Sequence, residues 1–266
     1  MPLDEARQTI YKKNPLIQVI CQLRFPRILL INEKAPADFQ ERIRKVYPNY
    51  NVSVEQQQQS FFGSGIDTSP KIIQNEQINN YSFSSGDGVW QINLTSTLLS
   101  LSTSHYIGWE DFRSNLYEPL NALNDIYCPA FFDRVGIRYI NAYRRSTLNI
   151  DMNTSWTELI SPFALGFLSN KDLAEEVKGY TATSDIKLGN DVMARVITST
   201  GFIGNIIFQQ NPELSFIIDS DLYYSSKKSF DELDDSLINL NDHAYRLVRN
   251  MITDKLHEVM EPEEIW

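Results

Sequence analysis

A chain of 266 residues is long enough for one large domain or two small ones, and its 42% hydrophobic residues supply a sizeable core. The 34 acidic and 24 basic residues give a net charge of -10, so the surface as a whole repels nucleic acids and anionic membranes unless basic residues cluster locally. The sequence has no run of about 18 apolar residues and no apolar signal-peptide core. A cytoplasmic protein without membrane association is expected.

The first part of the chain predicts a strand and then a helix. The strand occupies residues 15–25, and its apolar side chains on both faces indicate a central position in a sheet. The helix begins at Pro36 and ends before Pro48. A polar stretch at 52–60 then leads into a loop at 61–71, which lacks the lysine of a phosphate-binding loop.

The following residues predict a hairpin, a further strand and an amphipathic helix. The hairpin consists of strands at 81–84 and 89–94 around a turn rich in glycine. Residues 98–105 form the next strand, and apolar residues at helical spacing indicate a helix over 109–126. Pro119 is expected to kink that helix.

Residues 131–145 have the strongest strand pattern and the densest positive charge in the chain. Alternation places Arg134, Gly136 and Arg138 on one face, where the glycine leaves backbone open between two guanidinium groups. We predict four binding residues here: Arg134, Arg138, Arg144 and Arg145. Three kinds of partner are open: carboxylates of a neighbouring element, phosphates of a nucleic acid, or an acidic protein.

The second half predicts a strand meander followed by a long helix. From residue 178 onward, two consecutive strands meet in a turn at 188–191, and a third strand lies at 214–224. Ser229 and Glu232 form a capping box that opens a helix continuous to residue 259. Its apolar stripe either covers the sheet or packs against a second chain. The predicted interface residues are Leu237, Leu240, Ala244, Leu247 and Met251.

These elements predict an α+β fold of two mostly antiparallel sheet layers covered by helices, with a long C-terminal helix. The expected units are an N-terminal α+β half at 1–145, a connector at 146–176 and a C-terminal β-meander with its helix at 177–266. One compact domain that contains both halves is the alternative.

The sequence carries no motif of a common enzyme class, and we predict no catalytic residue, metal ligand or cofactor. The three histidines lack ligand spacing. Asp219 and Asp221 lie about 6.7 Å apart on one strand face, either as a charge pair that protects a sheet edge or as a carboxylate pair for hydrolysis. Cys21 and Cys128 are expected to be buried free thiols.

Four segments carry a resemblance to a known family: residues 14–26, residues 98–112 with Tyr106 and Trp109, residues 134–141, and the helix over 243–260. Through them the chain resembles the TIGR04255 family, which is sporadically distributed among bacteria. The resemblance covers nearly the whole chain. It implies the fold and a patchy bacterial distribution, which is typical of defence and toxin–antitoxin genes, and it implies no reaction.

The expected function is therefore that of a non-enzymatic interaction or regulatory subunit. Its partner is the product of a neighbouring gene or a second copy of the chain, in a bacterial defence or toxin–antitoxin system. Two alternatives are a nucleic-acid-binding accessory subunit that uses the arginine face, and a metal-dependent hydrolase centred on Asp219 and Asp221.

Overall fold

The computed structural model describes residues 3–6, 9–58, 75–189, 191–203 and 213–264. The predicted α+β fold with antiparallel sheets and a long C-terminal helix is confirmed, since a nine-stranded antiparallel sheet and a two-stranded one are present. None of the described helices is both long and apolar enough to cross a membrane. The whole of the loop predicted at 61–71 lies outside the described residues, and so does residue 190 in the predicted turn.

The secondary-structure elements are as follows. The strands are β1 Thr9–Tyr11, β2 Leu16–Arg24, β3 Asn49–Gln58, β4 Asn75–Ser84, β5 Trp90–Thr95, β6 Leu98–Thr103, β7 Arg134–Tyr143, β8 Thr181–Gly189, β9 Val192–Phe202, β10 Leu214–Tyr224 and β11 Pro262–Glu264. The helices are α1 Leu29–Glu33, α2 Ala37–Ile43, α3 Trp109–Tyr127, α4 Arg145–Leu148, α5 Pro162–Leu165, α6 Lys171–Ala174, α7 Leu233–Met251 and α8 Asp254–Val259.

The strands of both halves are joined edge to edge in one sheet. Its order is β3-β4-β5-β6-β2-β7-β10-β9-β8, so β7 pairs with a strand of the first half on one side and of the second half on the other. One face of β7 is fully buried at Val135, Ile137 and Tyr139, whereas the other face holds the half-buried arginines. The strand with the strongest pattern thus links the two halves.

The polar stretch that precedes the predicted loop belongs to β3. Tyr50, Val52 and Val54 alternate with polar residues, and the strand pairs with β4 in continuous register. Asparagine, serine and glutamine dominate its composition. The alternation of apolar and polar side chains that indicates a strand is therefore weak in the sequence.

The terminal helix ends earlier than the sequence predicts. α7 stops at Met251 because Ile252 adopts an extended conformation with φ -109° and ψ 154° and forms a β-bridge with Ile160. The side chain of Thr253 then accepts a hydrogen bond from the backbone N–H of Leu256 and starts α8. A contact with a distant part of the chain therefore divides the predicted helix.

The two ends of the chain meet in the small sheet, where β1 pairs with β11. Tyr11 also reaches α8, because its hydroxyl oxygen lies 2.8 Å from His257 Nδ1. Burial lowers the pKa of His257. These contacts hold the N-terminal strand near α8.

Both cysteines are free, as predicted, but only Cys21 is buried. The expectation of a buried Cys128 is wrong because this residue forms the exposed C-cap of α3, with φ 44°. Burial raises the pKa of the Cys21 thiol to about 12. The two thiols should therefore differ sharply in reactivity.

We expect Ellman's reagent to modify Cys128 rapidly in the native protein and Cys21 only after unfolding in urea. At pH 8 a thiol with a pKa of about 12 is ionised on the order of one part in 10⁴, and Cys21 is also shielded from the reagent. The native Cys128→Ser variant should react slowly. Rapid modification of that variant without urea would contradict the buried position of Cys21.

Candidate contact surfaces and an aromatic pocket

Arg134 is engaged by three neighbouring side chains. Its Nη2 donates hydrogen bonds to both carboxylate oxygens of Asp221 at 2.7 Å, and its Nη1 donates to Gln22 Oε1 at 3.1 Å. The guanidinium carbon also lies 4.6 Å from the ring centre of Tyr223. The partners come from the strands on both sides of β7.

The open backbone predicted at Gly136 is occupied by the side chain of Arg134. A Cβ atom at Gly136 would lie 2.4 Å from Nη1 and 3.0 Å from Cζ of Arg134. The missing side chain therefore lets the guanidinium cross the strand toward Asp221. It does not leave room for an external ligand at this point.

Arg138 forms a second ion pair, with Asp219. Its Nε donates to Oδ1 at 2.7 Å and its Nη2 to Oδ2 at 2.5 Å, and this contact raises the pKa of Arg138. The Asp219 side chain is 14% exposed, while that of Arg138 is 43% exposed. The arginine face and the aspartate pair, which the sequence offered as separate sites, thus form one cluster whose formal charges cancel.

The other two predicted binding residues lie beyond this cluster, where β7 ends. Arg145 stacks on Trp156, with the guanidinium carbon 3.8 Å from the ring centre, and its Nε donates to the carbonyl oxygen of Thr154. Burial lowers the pKa of Arg145. The Nε of Arg144 is buried without a hydrogen-bond partner among the described residues. Arg145 therefore anchors the connector to the end of β7.

The apolar stripe of α7 packs inside the chain. Its predicted interface residues, Leu237, Leu240, Ala244, Leu247 and Met251, are between 0% and 3% exposed. α7 contacts β7 and β10, which corresponds to the alternative in which the helix covers the sheet. A partner chain has to use other side chains.

The histidines are separated in the structure. His105 is exposed, His243 hydrogen-bonds through Nδ1 to the carbonyl oxygen of Asn239, and His257 contacts Tyr11. Across the described ranges, no group of three or more His, Cys, Asp or Glu side chains has the arrangement of a metal site.

The connector carries an exposed apolar surface. Phe163 on α5 is 67% exposed, Phe167 in the following 3₁₀ turn is 73% exposed, and Leu173 on α6 is 47% exposed. α5, that turn and α6 follow one another along the chain, and the backbones of α5 and α6 both approach the turn. We call Phe163, Phe167 and Leu173 the phenylalanine patch.

A pocket of about 120 Å³ lies between β1, β7, α7 and the loop that precedes α3. Aromatic side chains make up much of its lining, among them Tyr11, Tyr106, Trp109 and Tyr139. Tyr106 and Tyr139 meet edge to face with 5.9 Å between ring centres. The pocket is therefore a partly enclosed, mainly apolar site.

The segments that carry the family resemblance meet at this pocket. Asn14 comes from the first segment, Tyr106 and Trp109 from the second, and Tyr139 and Asn141 from the third. The sequence pattern places Asn141 on the face of β7 opposite the arginines, between two tyrosines. A single carboxamide on an otherwise apolar and aromatic face was the available signal for this site, and the sequence reasoning did not use it.

Comparison with models of known protein families gives no match, and comparison with curated proteins gives none. The contact surfaces proposed below therefore rest on the geometry of the chain itself.

Proposed function

We propose that the chain is a non-enzymatic interaction or regulatory subunit whose main contact surface is the phenylalanine patch. The observation that carries this proposal is the exposure of Phe163 and Phe167, at 67% and 73%. Single exposed apolar residues are ordinary on a protein surface, but two strongly exposed phenylalanines close together in the sequence are typical of contact sites. Phenylalanine is also enriched at interface cores.

The charges beside the patch indicate the chemistry of the partner. Asp172, Glu175 and Glu176 are all exposed in and just after α6, where they outnumber the exposed Lys178. With a net charge of -10 over the chain, they favour a partner that offers an apolar cleft with a basic rim. Arg138, which keeps 43% of its side chain exposed, is a secondary contact in this proposal.

The cellular setting of the proposal comes from the resemblance to the TIGR04255 family. We place the chain in the bacterial cytoplasm, with the product of a neighbouring gene or a second copy of itself as the partner, in a defence or toxin–antitoxin system. A nucleic-acid-binding subunit would need free guanidinium groups, whereas carboxylates occupy those of Arg134 and Arg138. A hydrolase would need Asp219 and Asp221 free of those arginines.

The test compares binding of wild-type protein and a Phe163→Ala plus Phe167→Ala variant to the co-expressed neighbouring gene product. We expect the double variant to bind at least about 30-fold more weakly, because truncating a central aromatic contact costs roughly 2 kcal/mol or more. Its urea unfolding midpoint should stay unchanged, since both rings are already exposed. Affinity is measured by titration calorimetry on the purified proteins.

Leu29→Ala is the matched control, since Leu29 is 65% exposed and lies on α1 in the other half of the chain. It should bind like the wild type. A wild-type chain that stays monomeric and co-purifies with no neighbouring gene product would count against the proposal, and so would equal affinities for the wild type and the double variant.

A further inference from the structure

The aromatic pocket contains two buried carboxamides that the fold leaves incompletely hydrogen-bonded. Asn141 is 5% exposed and Asn241 is 7% exposed, and both line the pocket. Asn241 Oδ1 accepts a hydrogen bond of 2.7 Å from the hydroxyl of Tyr139. No side-chain hydrogen bond joins the amide of Asn141, or the Nδ2 of Asn241, to the part of the chain that the structure describes.

The unpaired amide atoms of Asn141 and Asn241 open onto the pocket, so whatever occupies it, water or a ligand, has to supply their hydrogen bonds. A carboxamide that loses water without gaining a partner destabilises the folded state, and buried polar side chains are therefore nearly always hydrogen-bonded. Packing alone would be served by leucine, which has a similar volume and no polar atoms. The two asparagines thus point to a bound species that supplies their partners.

The size and the aromatic walls of the pocket favour a small flat molecule. The volume of about 120 Å³ is somewhat smaller than the cavity of about 150 Å³ that is known to bind benzene. Tyr11, Tyr106 and Trp109 supply aromatic walls. A single planar ring fits these walls, since flat rings stack or meet edge to face with aromatic side chains.

The polar atoms of the pocket determine which hydrogen-bonding groups the ring must carry at its edge. A carboxamide presents a donor and an acceptor side by side, so it pairs with a ligand edge that carries an adjacent acceptor and donor. The charged residue of the lining, Arg249, donates from Nη2 to Asp254 Oδ1 at 2.6 Å. Because this charge is already paired, a neutral ligand is favoured.

We propose that the pocket binds a neutral, single-ring heteroaromatic molecule whose edge carries an adjacent hydrogen-bond donor and acceptor. Asn141 contacts that edge, and the amide of Asn241, held by Tyr139, supplies a further donor. This site is separate from the phenylalanine patch, and its occupation does not depend on the proposed function.

The test titrates the full-length protein with uracil, with nicotinamide and with benzene, and follows binding by protein NMR. At least one of the two polar rings is expected to bind at least about tenfold more tightly than benzene, since a hydrogen-bonding site rejects analogues that lack the polar edge. Intermolecular NOEs should connect the ring to Tyr106 and Trp109. These NOEs show where the ring binds in the wild-type protein, so this measurement needs no variant.

Two variants separate binding from folding. Asn141→Leu should weaken binding of the polar ring at least about tenfold and leave the Tm of the ligand-free protein equal or higher, because it removes an unpaired buried amide. Asn93→Leu is the matched control, since Asn93 Oδ1 accepts hydrogen bonds from Ser82 and Gln91 on β4 and β5. It should lower the Tm and leave binding unchanged.

Three results would overturn the proposal. One is the absence of saturable binding by either polar ring, which would leave ordered water as the partner of the asparagines. Another is binding of benzene as tight as that of the polar rings. The third is a set of NOEs that places the ring away from Tyr106 and Trp109.

Discussion

Leu240→Ala should lower the free energy of unfolding by about 2–5 kcal/mol, because it opens a cavity between α7 and the large sheet. Leu240 is 0% exposed and lies near the middle of the apolar stripe, on a helix that contacts β7 and β10. The surrounding strands are held by their own ladders and cannot collapse fully into the space. Urea unfolding, monitored by circular dichroism, measures the change.

Phe167→Ala is the matched control, since it also removes a large apolar side chain but one that is 73% exposed. Its effect on unfolding should stay within about 0.5 kcal/mol. The experiment also distinguishes an apolar stripe that covers the sheet from one that packs against a second chain. If Leu240 lay at an interface between chains, the loss of stability would depend on protein concentration. A concentration-independent loss is expected.

Local periodicity was sufficient to predict most elements. The stripe of α7 recurs every three or four residues, and the strand pattern of β7 alternates cleanly, so both were found near their observed positions. Features that depend on distant contacts were not predicted. Ile252 ends α7 because it pairs with Ile160, and no local residue pattern at Ile252 reveals that partner.

The arginine face shows the same limit within one site. Alternation correctly placed Arg134 and Arg138 on one side of β7, but their carboxylate partners lie on β10, which is distant in sequence. The pairing of Asp219 with Arg138 requires the register of β7 and β10, which the sequence does not specify without a hairpin turn between them. From the sequence alone, carboxylates were therefore one of three kinds of partner for these arginines.

The lining of the aromatic pocket depends on how the fold arranges elements that are distant in the chain. Its lining combines residues from β1, the loop that precedes α3, β7 and α7, and no two of these elements are neighbours in the chain. The sequence indicated that Tyr139 and Asn141 face away from the arginines. It did not indicate that α7 would place Asn241 against Tyr139, which is the contact that defines the polar side of the pocket.

Gly136→Ala should destabilise the protein by about 1 kcal/mol, which is the order of magnitude of one partly exposed ion pair. The new Cβ would lie 2.4 Å from Arg134 Nη1, so the guanidinium has to leave its position over the strand. Because the displaced atoms form the far end of a flexible side chain, overpacking adds little, and we attribute about 1 kcal/mol to the loss of the half-buried contact with Asp221. Urea unfolding again provides the measurement.

A double-mutant cycle assigns this cost to Arg134. In the Arg134→Ala background, Gly136→Ala should cost less than about 0.5 kcal/mol, because the atom that it displaces is no longer present. Gly86→Ala is the control for the substitution itself, since a Cβ at Gly86 meets no heavy atom within 4 Å. An equal cost of Gly136→Ala in both backgrounds would contradict the contact. A strong coupling would mean that Gly136 serves the ion pair between β7 and β10, and that a ligand cannot reach the backbone there without displacing Arg134.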